Sequence, residues 1–219
     1  MPLLMGLDVS TSIVGVCIVD DAIEPDAKGS HIVLLDHIDF KGCKTLWDKA
    51  DVVYHYMADV IRNSFDDERL PRNGFYCPTR VVLEEPLMGF RPGMSSAQTI
   101  STLMRFNGIV SYVTRMVFKC DPEYIGSAHA RKLCGIKLQR TAVGGPQKEQ
   151  VFAHMVANDL SHVQWPTKKN GKQVEWSRDA CDAYVIARAA TVCGPIQPLV
   201  KKPKKVAKPK VAAGVTLRP

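Results

Sequence analysis

Four acids are spaced so that a simple fold would gather them. Asp8 ends one apolar run, Glu84 ends another, and Asp179 and Asp182 stand three residues apart in an alanine-rich segment of helical character. Residues i and i+3 share a helix face, and two neighbouring strand ends beside such a face make one cluster. Carboxylates packed that closely repel one another and hold protons more tightly unless cations neutralise them. An all-oxygen donor set suits Mg2+, with Mn2+ as a substitute. Two such ions can clamp a phosphodiester, one activating the attacking water and the other stabilising the leaving 3′ oxygen. The chemistry expected is phosphodiester hydrolysis. Taken singly, Asp8 can instead cap a turn, and Asp179 can interact with a helix macrodipole from its first turn. Glu84 is harder to place otherwise, because Val81, Val82 and Leu83 would bury it and an unpaired buried carboxylate is costly. Glu85 competes with Glu84, and strand pleating lets only one of them face the cleft.

The elements that must position these acids follow from the hydrophobic pattern. Residues 3–8, 13–20 and 32–40 read as strands, the first two joined by the small-residue link Val9-Ser10-Thr11-Ser12. Thr45 can cap a helix in which Leu46, Ala50, Val53, Met57, Val60 and Ile61 recur at helical spacing, ending near Asn63. The continuous run 80–86 reads as a buried central strand stopped by Pro86. A long helix is expected over 95–117, with Ile100, Leu103, Met104, Ile109, Val110, Val113 and Val117 as its apolar stripe, a length suited to central packing or a dimer contact. A short strand near Tyr124 and Ile125 leads to Ser127 as cap of a helix over 128–133. The Gly-rich segment 143–146 precedes a helix over 148–160, a hairpin-type turn lies at 169–172, and a last helix runs over 179–192. This order describes an α/β fold, an RNase H-like mixed five-stranded sheet flanked by helices.

Composition fits one such domain with an appendage. The chain has 219 residues, 46% of them hydrophobic, with no apolar run near the roughly 18 residues of a membrane helix. No secretory leader is visible, so an intracellular location is expected, cytoplasm or nucleoid, or host cytoplasm for a viral or phage protein. The seven cysteines form no CxxC pair and are odd in number, which argues against a zinc site or a disulfide framework and for free, mostly buried thiols. The net charge of +7 is localised. Residues 194–219 hold Lys201, Lys202, Lys204, Lys205, Lys208, Lys210 and Arg218 and no acid, leaving 22 basic and 22 acidic residues in the body. The expected organisation is a nuclease domain over 1–193 and a disordered basic tail over 194–219 that contacts polyanions without reading sequence.

With the residues in view, the chain resembles the RuvC-like Holliday junction resolvases. Met5-Gly6-Leu7-Asp8-Val9-Ser10-Thr11-Ser12-Ile13-Val14-Gly15 resembles that family's first strand and turn, and Val82-Leu83-Glu84-Glu85 its second acidic motif. Ser177-Arg178-Asp179-Ala180-Cys181-Asp182-Ala183-Tyr184 resembles its closing helix, and Lys148-Glu149-Gln150-Val151 the segment with its catalytically important lysine. The resemblance implies that Asp8, Glu84, Asp179 and Asp182 bind two Mg2+ ions, that Lys148 supports the scissile phosphate, and that a homodimer makes paired, symmetric nicks in four-way DNA. It also implies a residue probing the junction centre in the loop after Glu84. Leu87 stands where the family has an aromatic, with Phe90 and Arg91 further on. Other candidate DNA contacts are Lys137, the insertion lysines Lys168, Lys169 and Lys172, Arg178, and the tail lysines Lys201, Lys202, Lys204 and Lys205.

Two further readings share features with this one. An RNase H-like nuclease could act on flaps, forks or other branched nucleic acid, and the fold does not choose among these. Actin-like and sugar-kinase ATPases open with a strand and turn similar to Gly6-Leu7-Asp8-Val9-Ser10-Thr11, but they need a second lobe and a late Gly-rich motif, and this body ends near residue 193. A junction-binding protein without activity is disfavoured by four intact acids, since DNA binding alone favours removing negative charge.

Overall fold

A computed structural model describes residues 2–26, 29–63, 77–86 and 96–196. Five strands form one mixed sheet: β1 (Leu3–Val9), β2 (Ile13–Asp20), β3 (Ile32–Asp39), β4 (Arg80–Glu84) and β5 (Glu123–Ile125), in the order β3-β2-β1-β4-β5. The first three are antiparallel neighbours, and β4 and β5 continue the sheet in parallel with β1. The β1–β2 link is closed by Ser10, whose Oγ accepts from Ile13 N at 3.1 Å and donates to Ile13 O at 2.7 Å. That closure sets Asp8 opposite Gly15.

Pleat alternation divides the sheet into two faces. Leu3, Met5, Leu7, Val81 and Leu83 point to a core covered by α1 (Leu46–Asn63) and α2 (Ala97–Phe118). Leu4, Val82, Cys17 and Val19 point to a second core covered by α3 (Ser127–Leu133), α5 (Gln147–Ala157) and α6 (Trp176–Cys193), with the short α4 (Thr141–Gly144) ahead of α5. The expected fold class therefore holds.

Helix ends differ from the sequence reading where small polar residues have more than one use. Thr45 caps α1 as expected, accepting from Asp48 N at 3.1 Å while Asp48 Oδ2 accepts from Thr45 N at 2.8 Å, a reciprocal capping arrangement. Ser96 caps α2, accepting from Thr99 N at 3.1 Å. Ser127, by contrast, is the first residue of α3 and makes no cap; Gly126 holds that position. The last helix begins at Trp176, three residues before Asp179, because the Trp176 ring stacks on His37 of β3 at 4.4 Å and ties that turn to the sheet.

The buried stripe of α2 keeps part of the expected one, with Val110 buried and Ile109, Val113 and Val117 packed against the core's edge, but its centre is shifted. Phe106, Asn107, Val110, Ser111, Thr114 and Phe118 face the core, and Met104 is exposed. Ser111 and Thr114 can be buried because their hydroxyls donate back to Asn107 O (2.7 Å) and Ser111 O (2.9 Å). All seven cysteines are free, but only Cys17 and Cys181 are buried, which corrects the expectation of mostly buried thiols. Among the described residues no helix is long and apolar enough to cross a membrane.

Candidate active site

Asp8 and Glu84 reach the same cleft because their strands are in register: Leu7 pairs with Leu83, so the two acids follow side by side on adjacent parallel strands. Both have the parity of Leu4 and Val82 and face α6. Glu85 has the opposite parity. It lines a cavity of roughly 620 Å³ on the other face with Met104, Asn107 and Tyr124, so of the two acids Glu84 stands with Asp8. Asn107 Nδ2 reaches Glu84 O at 3.4 Å and helps fix the strand end.

Asp179 and Asp182 are brought down by glycines. A Cβ at Gly15 would collide with the Asp179 backbone, and one at Gly6 would lie 2.6 Å from Ala187 N. Gly6 and Gly15 lie on the adjacent strands β1 and β2, so together they form a flat bed on which α6 rests with the buried alanines Ala180, Ala183 and Ala187. Without side chains in the bed, the helix approaches the sheet closely enough for Asp179 of its first turn and Asp182 of its second to come near Asp8.

A fifth residue completes the group. The Lys148 ammonium lies 2.7 Å from Asp179 Oδ1, 3.5 Å from Asp182 Oδ2 and 3.6 Å from Asp8 Oδ2. Its neighbours hold it there: Glu149 accepts from Arg178 Nε at 2.6 Å, tying α5 to α6. Gln150 clamps the preceding loop, accepting from Gln139 N at 2.7 Å and donating to Gly145 O at 2.9 Å. Val151 is buried in the core. Each residue of Lys148-Glu149-Gln150-Val151 thus has a separate structural task.

The electrostatics are those of a crowded anionic pocket. Burial pushes the Asp8 carboxyl well above the usual carboxylate range; Lys148 opposes this, and the charges of Asp182 and Glu84 add to it. Burial likewise raises Asp182 to about 6, against the pull of Lys148 and Arg131. Lys148 is raised above its ordinary value despite its own partial burial, because Asp8, Asp182 and Asp179 outweigh that effect. Asp8 Oδ2 is buried and among the described residues has no hydrogen-bond partner, the Lys148 ammonium lying 3.6 Å away. Among the described residues no three His, Cys, Asp or Glu side chains already stand as a metal cage, and the Lys148 ammonium takes the space between the acids.

The candidate DNA contacts divide differently. Lys137, Lys169 and Lys172 are exposed and form no ion pair among the described residues. Lys168 is paired with Glu175 at 2.9 Å, and Arg178 with Glu149 at 2.6 Å, so neither is a free surface cation. Leu87, Phe90, Arg91, Lys201, Lys202, Lys204 and Lys205 lie outside the described residues. Sequence reasoning missed Arg131, a half-buried residue of α3 whose charge reaches Asp182. The signal was present as an acid-free stretch between Glu123 and Glu149 that carries five lysines and arginines.

No protein-family model and no curated protein sequence matches the chain. Solved structures similar to it include Thermus thermophilus RuvC in complex with a Holliday junction substrate, at 11% identity over 88% of this chain and 94% of that one, with a TM-score of 0.56. A second Thermus thermophilus RuvC structure matches at 15% identity over 87% of this chain and 93% of that one, with a TM-score of 0.50. At these identities the likeness is one of architecture: the chain has the RuvC-like, RNase H-like arrangement of a mixed five-stranded sheet flanked by helices.

Proposed function

We propose that this chain is a Mg2+-dependent endonuclease that resolves four-way DNA junctions as a homodimer, by paired symmetric phosphodiester cleavage. The observation that carries the proposal is the convergence of Asp8, Asp179 and Asp182, from one strand and one helix, on a single lysine, with Glu84 beside Asp8 at the end of the adjacent strand. A structural role alone does not account for the group. Burying several carboxylates against one another costs stability, and one lysine cannot neutralise four of them.

The residues fit divalent ions. The donors are all carboxylate oxygens, the preference of Mg2+ and Mn2+, and Asp8 Oδ2 is buried with an unused lone pair. Asp8, Glu84, Asp179 and Asp182 would hold two ions, which supply Lewis acidity and lower the pKa of an attacking water. The chain's own contributions are position and charge. The strand ends and α6 fix the acids on rigid elements, and Lys148, half-exposed, can turn from Asp179 to a phosphate oxygen and stabilise its developing charge. The likeness to a RuvC solved with a Holliday junction substrate supports branched DNA as the substrate class. The exposed apolar residues Met104, Tyr112 and Met116 on α2 support a second copy as partner.

The test is incubation of the full chain with labelled four-way junction, forked, flapped and linear DNA, with Mg2+ or EDTA, beside Asp8→Asn. Paired nicks in the junction that require Mg2+ and vanish in Asp8→Asn are expected. Wild-type protein that leaves every branched substrate intact would defeat the proposal, and preference for forks or flaps would reassign the substrate.

A further inference from the structure

Although the body of the protein is electrically balanced, its charge is unevenly laid out. From Tyr124 to Lys148 there is no acid, while Arg131, Lys132, Lys137, Arg140 and Lys148 all fall within the stretch. Lys148 is taken up by the carboxylates. The other four form no ion pair among the described residues, and three of them are exposed. Arg131 differs in being half-buried. It lies in the last turn of α3, which packs on α6, the helix that carries Asp179 and Asp182. Its Nη1 is 3.5 Å from Oε1 of Gln147, the residue before Lys148 in α5. A guanidinium whose charge reaches Asp182, and which among the described residues makes one long side-chain contact to a neutral amide, keeps most of its five donors unused there.

We infer that Arg131 grips a DNA phosphate at the mouth of the carboxylate pocket, as the inner end of a backbone-binding track formed with Lys132, Lys137 and Arg140. This rests on the nuclease reading above and adds to it the route by which the strand enters. The competing role is that of counter-charge to Asp182, whose ionisation Arg131 favours from a distance. That role uses the charge of Arg131 but none of its donors, since the cation at contact distance from Asp182 is Lys148, at 3.5 Å. A planar guanidinium can instead take two oxygens of one phosphate, which lysines along the track cannot do.

Binding and cleavage test this separately. In full-length protein carrying Asp8→Asn, affinity for fluorescent four-way junction is measured between 50 and 200 mM salt, with and without Arg131→Gln. Loss of one phosphate contact flattens the slope of log K against log salt by about 0.9. Lys119→Gln, at the exposed C-cap of α2, leaves the slope unchanged. With all acids intact, Arg131→Gln slows single-turnover cleavage at saturating junction by at least about tenfold. Arg131→Lys keeps the slope but not the full rate. An unchanged slope with an unchanged saturating rate overturns the inference, as does a change confined to melting temperature. If Arg131→Gln does not fold, Arg131→Lys decides, and a wild-type rate in that variant overturns it. The binding arm needs no cleavage, so failure of the nuclease reading is distinguishable from failure of this one.

Discussion

Lys148 stands in the first turn of α5, where a helix macrodipole disfavours a cation, and only the three aspartates around it make the position favourable. Replacing it with methionine leaves those acids unneutralised. Metal-free Lys148→Met is therefore expected to lose on the order of 1 kcal/mol after discount for its half-exposed side chain, and to regain it when Mg2+ is added; melting scans in EDTA and in Mg2+ check this. Asp182 gives a pH prediction of fixed sign. Its carboxyl is raised to about 6 in the folded protein from an ordinary value near 3.8. Between those values the folded state binds more protons than the unfolded, so metal-free stability falls as pH rises from about 4 through 6. The fall should be smaller in Asp182→Asn, and equal pH profiles for the two proteins in EDTA would contradict the assignment. At this scale the sequence was informative about proximity and parity: Asp8, Asp179 and Asp182 lie around Lys148 with Glu84 near Asp8 and Asp182, and pleating separated Glu84 from Glu85. It was silent on contact. Nothing in the order of residues says that Lys148 touches three acids, or that Arg178 and Lys168 are consumed by Glu149 and Glu175.

The acids meet because α6 lies flat on β1 and β2, and that depends on residues that carry no chemistry. Gly15→Ala places a methyl group in the backbone of Asp179, where neither strand nor helix can yield cheaply. It is expected to lower stability by about 1–3 kcal/mol, as overpacking does, and to reduce Mg2+-dependent activity more than its effect on folding explains. Gly108→Ala, which meets nothing within 4 Å inside one copy, should raise rather than lower the melting temperature, as Gly→Ala does in a helix interior, and so shows that the cost at Gly15 is one of packing. Element order and sheet composition were legible because the strands are strongly apolar runs and the helices keep their period. Helix boundaries were less so. Ser127 has the residue type of a cap but sits inside α3, and Trp176 lengthens α6 through a ring stack with His37, which is 139 positions earlier in the chain. The centre of the α2 stripe, though not its Ile109, Val110, Val113 and Val117, was missed for a related reason: buried Ser111 and Thr114 satisfy their hydroxyls within the helix and so behave as small core residues.

The whole molecule must present two pockets to one junction if it makes paired nicks, and the surface of α2 offers a place for two copies to meet. Met104, Gly108, Tyr112 and Met116 recur every four residues along it, with Tyr112 62% exposed and Tyr124 of β5 nearby in sequence and exposed as well. Tyr112→Glu is expected to weaken self-association by about 30-fold, the effect of losing an aromatic anchor worth about 2 kcal/mol. Sedimentation of wild type and variant as the same species would remove α2 from the interface. The basic tail poses a separate question of where the folded body stops. Composition placed the boundary after residue 193, yet Arg80 donates to Gly194 O at 2.8 Å and Ile196 N to Glu123 Oε2 at 2.6 Å, so the strap 194–196 belongs to the sheet edge. Composition could not find this because Gly194, Pro195 and Ile196 carry no charge and no period; the half-buried Arg80–Glu123 pair recruits them. Truncation after Ile196 should therefore leave the melting temperature unchanged, weaken salt-sensitive DNA affinity and leave the cut sites in place. Truncation after Cys193 should in addition destabilise the protein, since it removes a carbonyl and an amide that satisfy a half-buried ion pair. If the two truncations melt together, the strap contributes nothing and the body ends where its composition changes.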